Sequence, residues 1–297
     1  MAQNVFNPIL SKWTGKVGGL IYSVNSGKQI ISTNVGNQKK DPKTYKQMVR
    51  RVQWANLINI WQAFRGLDAP SFVNKPNNYS DWNMFMKRNM GSHSVYLTKE
   101  MANMGGAVVS DYMITQGKLG TIEMVSNDSG VLVSDIDLGN LTIGSSTTVA
   151  AFSIAVISNN GNRFQQGDKI SCFIAKQFTD QTSGIPSVKI IESDIVLDIS
   201  DSDMLLRDTA TAAAFSNVGT KLGLSAAVEG GAAYVHSRNT ANGTDVSTQN
   251  MVVTNTALAT YQTTAALSNA ILSYGGRMTT DYLVPGENNI EAPVTNP

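Results

Sequence analysis

Stepping at 100° per residue along TYKQMVRRVQWANLINIWQAF places Trp54, Leu57, Trp61 and Phe64 on one stripe, the spacing of an amphipathic helix. Asp41 is placed to cap this helix and Pro42 to fill its first position. Nothing interrupts the pattern before Phe64, about 33 Å of helix at 1.5 Å per residue. The stripe opens with Lys43, Lys46 and Arg50, so it is basic in its first half and aromatic in its second. The aromatic half is expected in a core and the basic half is expected to project away from it. Upstream, GLIYSV and KQIIST are β-branched and aromatic around Asn25-Ser26-Gly27, which predicts a hairpin. Gly15, Gly18 and Gly19 predict a close backbone approach or a bulge rather than a phosphate loop. Downstream, PNNYSDWNMFMKRNMG predicts a second helix capped at Ser80 or Asp81, with Trp82, Phe85 and Met86 in a core.

From about residue 120 the punctuation changes. GVLVSDI, TVAAFSIAVIS, KISCFIAKQF, SVKIIESDIVLDI, GAAYVHSR and QNMVVTN read as strands, with turn signals at Asn127-Asp128, Asn160-Gly161, Gly167-Asp168 and Asn242-Gly243. The insert SDSDMLLRDTATAAAFSNVGTK reads as a short helix or loop at the sheet edge. TALATYQTTAALSNAILSYGG predicts a helix stopped by Gly275 and Gly276, followed by an extended tail. The expected fold class is α+β. A hairpin and long-helix domain spans 1–110, an antiparallel β-sandwich-like domain 111–255, and a C-terminal helix with an extended tail 256–297.

Composition sharpens this picture in one respect. Only 15% of the 297 residues are charged, and neutral polar and small residues take their place. Such surfaces suit burial against neighbouring subunits, because neutral groups cost less to desolvate, and they also occur in extracellular and phage proteins generally. The net charge of +1 hides an asymmetry: residues 1–110 carry a net +10 and residues 111–297 a net −9. A basic half joined to an acidic half points to nucleic acid, or to head-to-tail docking of unlike surfaces. The opening MAQNVFNPILSKW lacks the pattern of a signal peptide, and no apolar run reaches the roughly 18 residues of a membrane span. The single cysteine, Cys172, is expected in a core, and the chain in a reducing compartment.

Candidate chemistry is sparse. His93 and His236 fall in different expected domains, and with one cysteine they build no Cys/His zinc site. No G-x-S-x-G is present, and His236 in AYVHSRN reads as a strand-end residue with a solvated tip. No catalytic, cofactor-binding or metal-binding residue is assigned, and the chain is read as a non-enzyme. The acidic run Glu192, Asp194, Asp198, Asp201, Asp203 and Asp208 lacks the glycine and glutamate of a calcium loop and is read as an acidic interface. Lys39, Lys40, Lys43, Lys46, Arg50 and Arg51 cluster where they oppose the positive end of the helix dipole. They form either a solvated face or one that meets phosphate or an acidic neighbour.

Two stretches carry a resemblance. Thr14-Gly15-Lys16-Val17-Gly18, then Gly27-Lys28, Asp41-Pro42, Thr44, Gln47 and Arg50 or Arg51, resemble the opening of an uncharacterised protein family encoded by Bacteroidetes and their phages. Ser237, Arg238, Gly243, Ser247 and Gln249 resemble a late strand pair of the same family. Similar openings occur among structural proteins of crAss-like phages. The resemblance implies a setting, the virion of a tailed phage, assembled in the bacterial host cytoplasm. Low charge content, an extended tail and oppositely charged halves add the expectation of a homo-oligomeric ring or connector near the portal, contacting neighbouring ring or tail proteins and packaged DNA. A head fibre, a capsid decoration or cargo protein, and a non-specific DNA-binding protein are the alternatives, with a glycan hydrolase behind them.

Overall fold

The structure is a computed structural model that describes residues 2–4, 14–25, 28–33, 44–73, 75–91, 94–241 and 243–276. Two compact units divide the chain, Met1–Pro42 and Lys43–Pro297.

The first unit is a four-stranded antiparallel sheet of β1 (Ala2–Asn4), β2 (Gly15–Val17), β3 (Leu20–Asn25) and β4 (Lys28–Thr33), in the order β1-β4-β3-β2. The expected hairpin is β3–β4, paired from Leu20↔Thr33 to Asn25↔Lys28. Residues 26 and 27, its expected turn, lie outside the described residues. Gly18, with φ at +58°, turns β2 into β3. Val17, Leu20, Ile21 and Val24 are all exposed, and no apolar side chain described in this sheet is buried.

The second unit holds, in chain order, α1 (Tyr45–Ala63), β5 (Ser71–Phe72), α2 (Asp81–Asn89), α3 (Lys99–Asn103), β6 (Met113–Gln116), β7 (Met124–Ser126) and β8 (Leu132–Asp137). There follow α4 (Val149–Asn159), β9 (Lys169–Thr179), β10 (Pro186–Val196), α5 (Leu206–Thr209), β11 (Ser216–Val218) and β12 (Lys221–Gly223). The last elements are β13 (Gly230–Thr240), β14 (Gly243–Val246), β15 (Gln249–Asn250), β16 (Val252–Val253), a 3₁₀ turn (Thr256–Tyr261) and α6 (Thr264–Ser273).

The centre is an antiparallel sheet in the order β10-β9-β13-β14, with β16 also paired to β13. Each of β9, β10 and β13 runs 11 residues, so the sheet is long enough to carry cores on both faces. On one face Ile170, Cys172, Ile174, Ala232 and Tyr234 pack with α4 and with a second sheet, β11-β12-β8-β7. On the other, Phe173, Ala175, Ala233 and Val235 pack with α1, α2 and a third sheet, β15-β6-β5. The architecture is α+β, but three layers deep rather than a two-sheet sandwich. None of the described helices is long and apolar enough to cross a membrane.

Four expectations change. TVAAFSIAVIS is the helix α4, not a strand. Thr148 caps it, and Val149, Phe152, Ser153 and Val156 are buried at helical spacing. Its apolar run carries no polar alternation to separate the two readings. Helix α1 starts at Thr44 rather than Asp41: the Thr44 hydroxyl accepts from Gln47 N–H at 3.4 Å while the Gln47 side chain accepts from Thr44 N–H at 3.3 Å, a capping box. The boundary near residue 110 is absent, because Leu57, Ile60 and Phe64 of α1 share a core with Phe173 and Ala233. The segment just before that boundary is bound to α1 as well, since Asn59 Nδ2 donates to Ala102 O at 3.0 Å and to Gly106 O at 2.6 Å. The C-terminal helix also belongs to this unit. Leu267, Ala270 and Ile271 of α6 pack on Met48 and Val52 of α1, and Gly275, φ +75°, ends it. The expected extended tail lies outside the described residues.

At the start of β13 the backbone comes very close to β9. Gly230 has φ at +142°, and a Cβ there would lie 1.9 Å from Ala175 O. Gly230→Ala is therefore expected to destabilise the fold by at least about 2 kcal/mol in urea unfolding, whereas Gly144→Ala, which meets nothing within 4 Å, stays within about 0.5 kcal/mol.

Candidate functional site

Two surfaces and one cleft stand out, and each is built from a different layer. The first surface is the outer face of α1. Met48, Val52, Asn56, Leu57 and Ile60 face inward, leaving Lys46, Arg50 and Arg51 exposed on the first two turns and Trp54 41% exposed beyond them. The expected single stripe is thus split. Leu57 and Phe64 are buried and Trp61 is half-buried, while Trp54 stands at the surface with its ring edge-on to Trp82, 6.3 Å away. Asn56 explains the rotation. It is fully buried, donates to Val108 O at 3.0 Å and accepts from Val108 N–H at 2.8 Å, which fixes which side of α1 faces in. Arg51, Trp54, Ile58 and Tyr274 line a shallow groove of about 340 Å³ on this face. The first turn of α1 holds no acidic residue, so its basic side chains add to the positive end of the helix dipole. Lys39, Lys40 and Lys43 lie outside the described residues.

The acidic run does not form one surface. Asp198, Asp201, Asp203 and Asp208 sit on the segment after β10. There Asp198 accepts from Gln166 at 2.8 Å and Ser200 Oγ at 2.6 Å, and Asp201 O accepts from Ala150 N–H at 2.9 Å at the start of α4. Ile199 and Met204 are about half exposed among them, so this patch is acidic and aliphatic together. It is tied to α4, on the opposite layer from α1.

Glu192 and Asp194 instead lie on the α1 side of β10. Asp194 takes Lys169 at 2.7 Å; Asp68 takes the same ammonium, and the Asp68 N–H donates to Glu192 at 3.1 Å. Burial pushes the Glu192 carboxyl above its ordinary value. No group of three or more His, Cys, Asp or Glu residues among the described residues is arranged to hold a metal ion.

Beside Lys169 the central sheet forms a cleft of about 400 Å³. Strand register builds its floor. Ser237 pairs with Lys169 and Val235 with Ser171, so alternate residues of β9 and β13 point the same way. Val246 and Thr244 of β14 extend that floor, and Asp68, Ser71 and Thr115 form the opposite wall.

A fourth constellation escaped the sequence reading. His236 is buried, not solvated at its tip. Its Nε2 lies 2.8 Å from Asp168 Oδ2, its ring packs on Phe164 with centroids 4.8 Å apart, and its Nδ1 has no hydrogen-bond partner among the described residues. Arg238 grips the same carboxylate with Nε and a terminal nitrogen, both at 2.7 Å, and donates to Arg163 O at 3.2 Å. Burial alone would raise Asp168, but the bonds from Arg238, His236 and the Gln165 N–H outweigh it and hold the carboxyl at about 2. The cluster pins the turn before β9 to β13. The i, i+2 spacing of His236 and Arg238 was the available signal, but their carboxylate lies 68 residues upstream of His236. His93 lies outside the described residues.

Comparison with known proteins returns no matching family model, curated protein or solved structure.

Asp168 is held below its unfolded value, so its contribution is complete above about pH 4 and is lost as pH falls towards about 2. Acid unfolding followed by circular dichroism is expected to fall in that window. Asp168→Asn removes the charge from beside Arg238 and is expected to cost about 3 kcal/mol at pH 7 while flattening that acid limb.

Proposed function

We propose that the chain is a non-enzymatic structural protein of a tailed-phage virion, working as a symmetric homo-oligomer in a ring or connector of the portal and head–tail region. The observation that carries the oligomer is a pair of unlike surfaces on opposite layers of the second unit. One is basic and aromatic, formed by Lys46, Arg50, Arg51 and Trp54; the other is acidic and aliphatic, formed by Asp198, Ile199, Asp201, Asp203 and Met204. Trp and Arg at a half-exposed position are the residue types that anchor interfaces, and opposite charge on the two patches sets their pairing. Because the patches differ, a contact between them is head-to-tail, and head-to-tail contacts build rings when the rotation closes.

Two further features support the reading. The N-terminal sheet has no apolar core of its own among its described residues, although a sheet needs a second layer to be stable. That unit also carries opposite charge from the rest: residues 1–42 hold five Lys/Arg against one Asp/Glu, a net of +4, and residues 43–297 hold 18 against 21, a net of −3. The virion setting rests on the resemblance of both Thr14–Gly18 and Ser237–Gln249 to an uncharacterised family of Bacteroidetes and their phages, whose type of opening also occurs among crAss-like phage structural proteins.

Native mass spectrometry at low and moderate salt tests the assembly. The wild-type chain is expected to give one closed oligomer. The double variant Lys46→Glu, Arg50→Glu is expected to weaken association by at least about 100-fold, near 2.7 kcal/mol, with an unchanged melting temperature. Adding Asp201→Lys and Asp203→Lys to the same chain is expected to restore it. A monomer at every salt concentration, or an oligomer indifferent to all four changes, rejects the proposal. Duplex DNA binding with a steep salt dependence and no self-association would put the DNA-binding reading in its place.

A further inference from the structure

The cleft beside Lys169 has polar groups with no hydrogen-bond partner among the described residues. Ser171 is 3% exposed, lies on the cleft floor, and its hydroxyl makes no hydrogen bond with any described residue. The hydroxyls of Ser71 and Ser237, on opposite sides of the same cleft, are likewise unbonded. Asn239 accepts from Thr244 Oγ1 at 2.8 Å through its carbonyl oxygen, which leaves its amide N–H groups unspent at the rim. By contrast, the Thr115 hydroxyl is consumed by Ser247 O at 2.8 Å. Only Ser171 of the three is buried, and all three hydroxyls face one cleft where a ligand can reach them.

The charges at the mouth decide what class of molecule suits these groups. Lys169 is held between Asp68 and Asp194, with two of its three donors taken. A phosphate or carboxylate entering there would face Asp68 and Asp194, with Glu192 bonded just behind Asp68. A cation would have to displace an ammonium already gripped by two carboxylates. A neutral ligand meets neither penalty. It must also both donate to and accept from hydroxyls, and lie against an apolar strip, since Phe173, Val235 and Val246 line the cleft. The volume of about 400 Å³ falls in the lower part of the range for small-molecule sites.

We infer that this cleft binds a neutral polyhydroxylated ligand, a saccharide of one or two rings. Its hydroxyls are held by Ser71, Ser171, Ser237 and Asn239 and by the third donor of Lys169, and its apolar face lies on Val235 and Val246. The site stands on the second unit alone and does not depend on assembly, so it holds whether or not the chain forms a ring.

Saturation-transfer NMR on the full chain tests it, with a panel of neutral pyranoses and their disaccharides as probes and inorganic phosphate and arginine as charged controls. At least one neutral sugar is expected to bind with a dissociation constant on the order of millimolar or tighter. Ser237→Leu, which fills the cleft from its half-buried rim, is expected to weaken binding at least about tenfold. Ser171→Ala removes one hydroxyl without adding volume and is expected to weaken it less, with both melting temperatures unchanged. No sugar bound by the wild-type chain, binding unaltered in both variants, or tighter binding of phosphate or arginine than of any sugar would each overturn the inference. If Ser237→Leu fails to fold, Ser171→Ala and Asn239→Ala decide the matter.

Discussion

The fold depends on β13 being paired on both sides and buried on both faces. Its first seven residues, Gly230 to His236, are all inaccessible to solvent. It bonds to β9 along eight residue pairs, and on its other side to β16 near its start and β14 near its end. A strand in that position has no solvent face on which to place polar residues, so it reads Gly-Gly-Ala-Ala-Tyr-Val-His. The exceptions are themselves bonded: the Tyr234 hydroxyl donates to Ala214 O, and His236 meets Asp168. Small residues at the start let β9 and β16 approach closely, and large ones further along fill the layers on either side. Once β13 is fixed, both cores and the turn before β9 are fixed with it.

That three-layer arrangement is also what separates the candidate sites. Helix α1 belongs to one outer layer and the acidic, aliphatic segment after β10 to the other, so their unlike chemistry cannot cancel within one copy of the second unit. The cleft lies elsewhere again, where β9 begins and β13 continues beyond the buried part of the sheet. There the alternation of β9 and β13 changes from apolar pairs to Lys169, Ser171 and Ser237. The proposed assembly surfaces and the proposed ligand cleft are thus mechanically independent.

Elements defined by local chemistry were legible in the sequence. Ser80 caps α2 as expected, β9 and β10 fall on the two strands read in KISCFIAKQF and SVKIIESDIVLDI, and Gly275 stops α6. Features set by distant neighbours were not. The residues of α4 are apolar on nearly every side, and only burial between β8 and the central sheet decides for helix. The basic run was visible as composition, but which of its residues project was set by Asn56 bonding to Val108, 52 residues away. The acidic run looked continuous because it is continuous in the chain. The strand direction of β10 divides it, sending Glu192 and Asp194 to the Lys169 cleft and Asp198 onward to the α4 layer. His236 looked like a strand end because β13 runs only one pair beyond it against β9, at Ser237↔Lys169, and its later residues pair with β14 alone.

Asn56 bears on how this chain can vary over evolutionary time. Its amide satisfies both polar backbone groups of Val108 and also contacts the Tyr112 hydroxyl at 2.6 Å, all without solvent. Aspartate has no donor to offer, leucine strands two backbone groups in the core, and glutamine is one methylene too long. The basic residues one turn away face no such restriction and can drift with whatever they touch. Divergent chains of this fold are therefore expected to share an asparagine at the place of Asn56 in their first helix long after their surfaces have ceased to look alike.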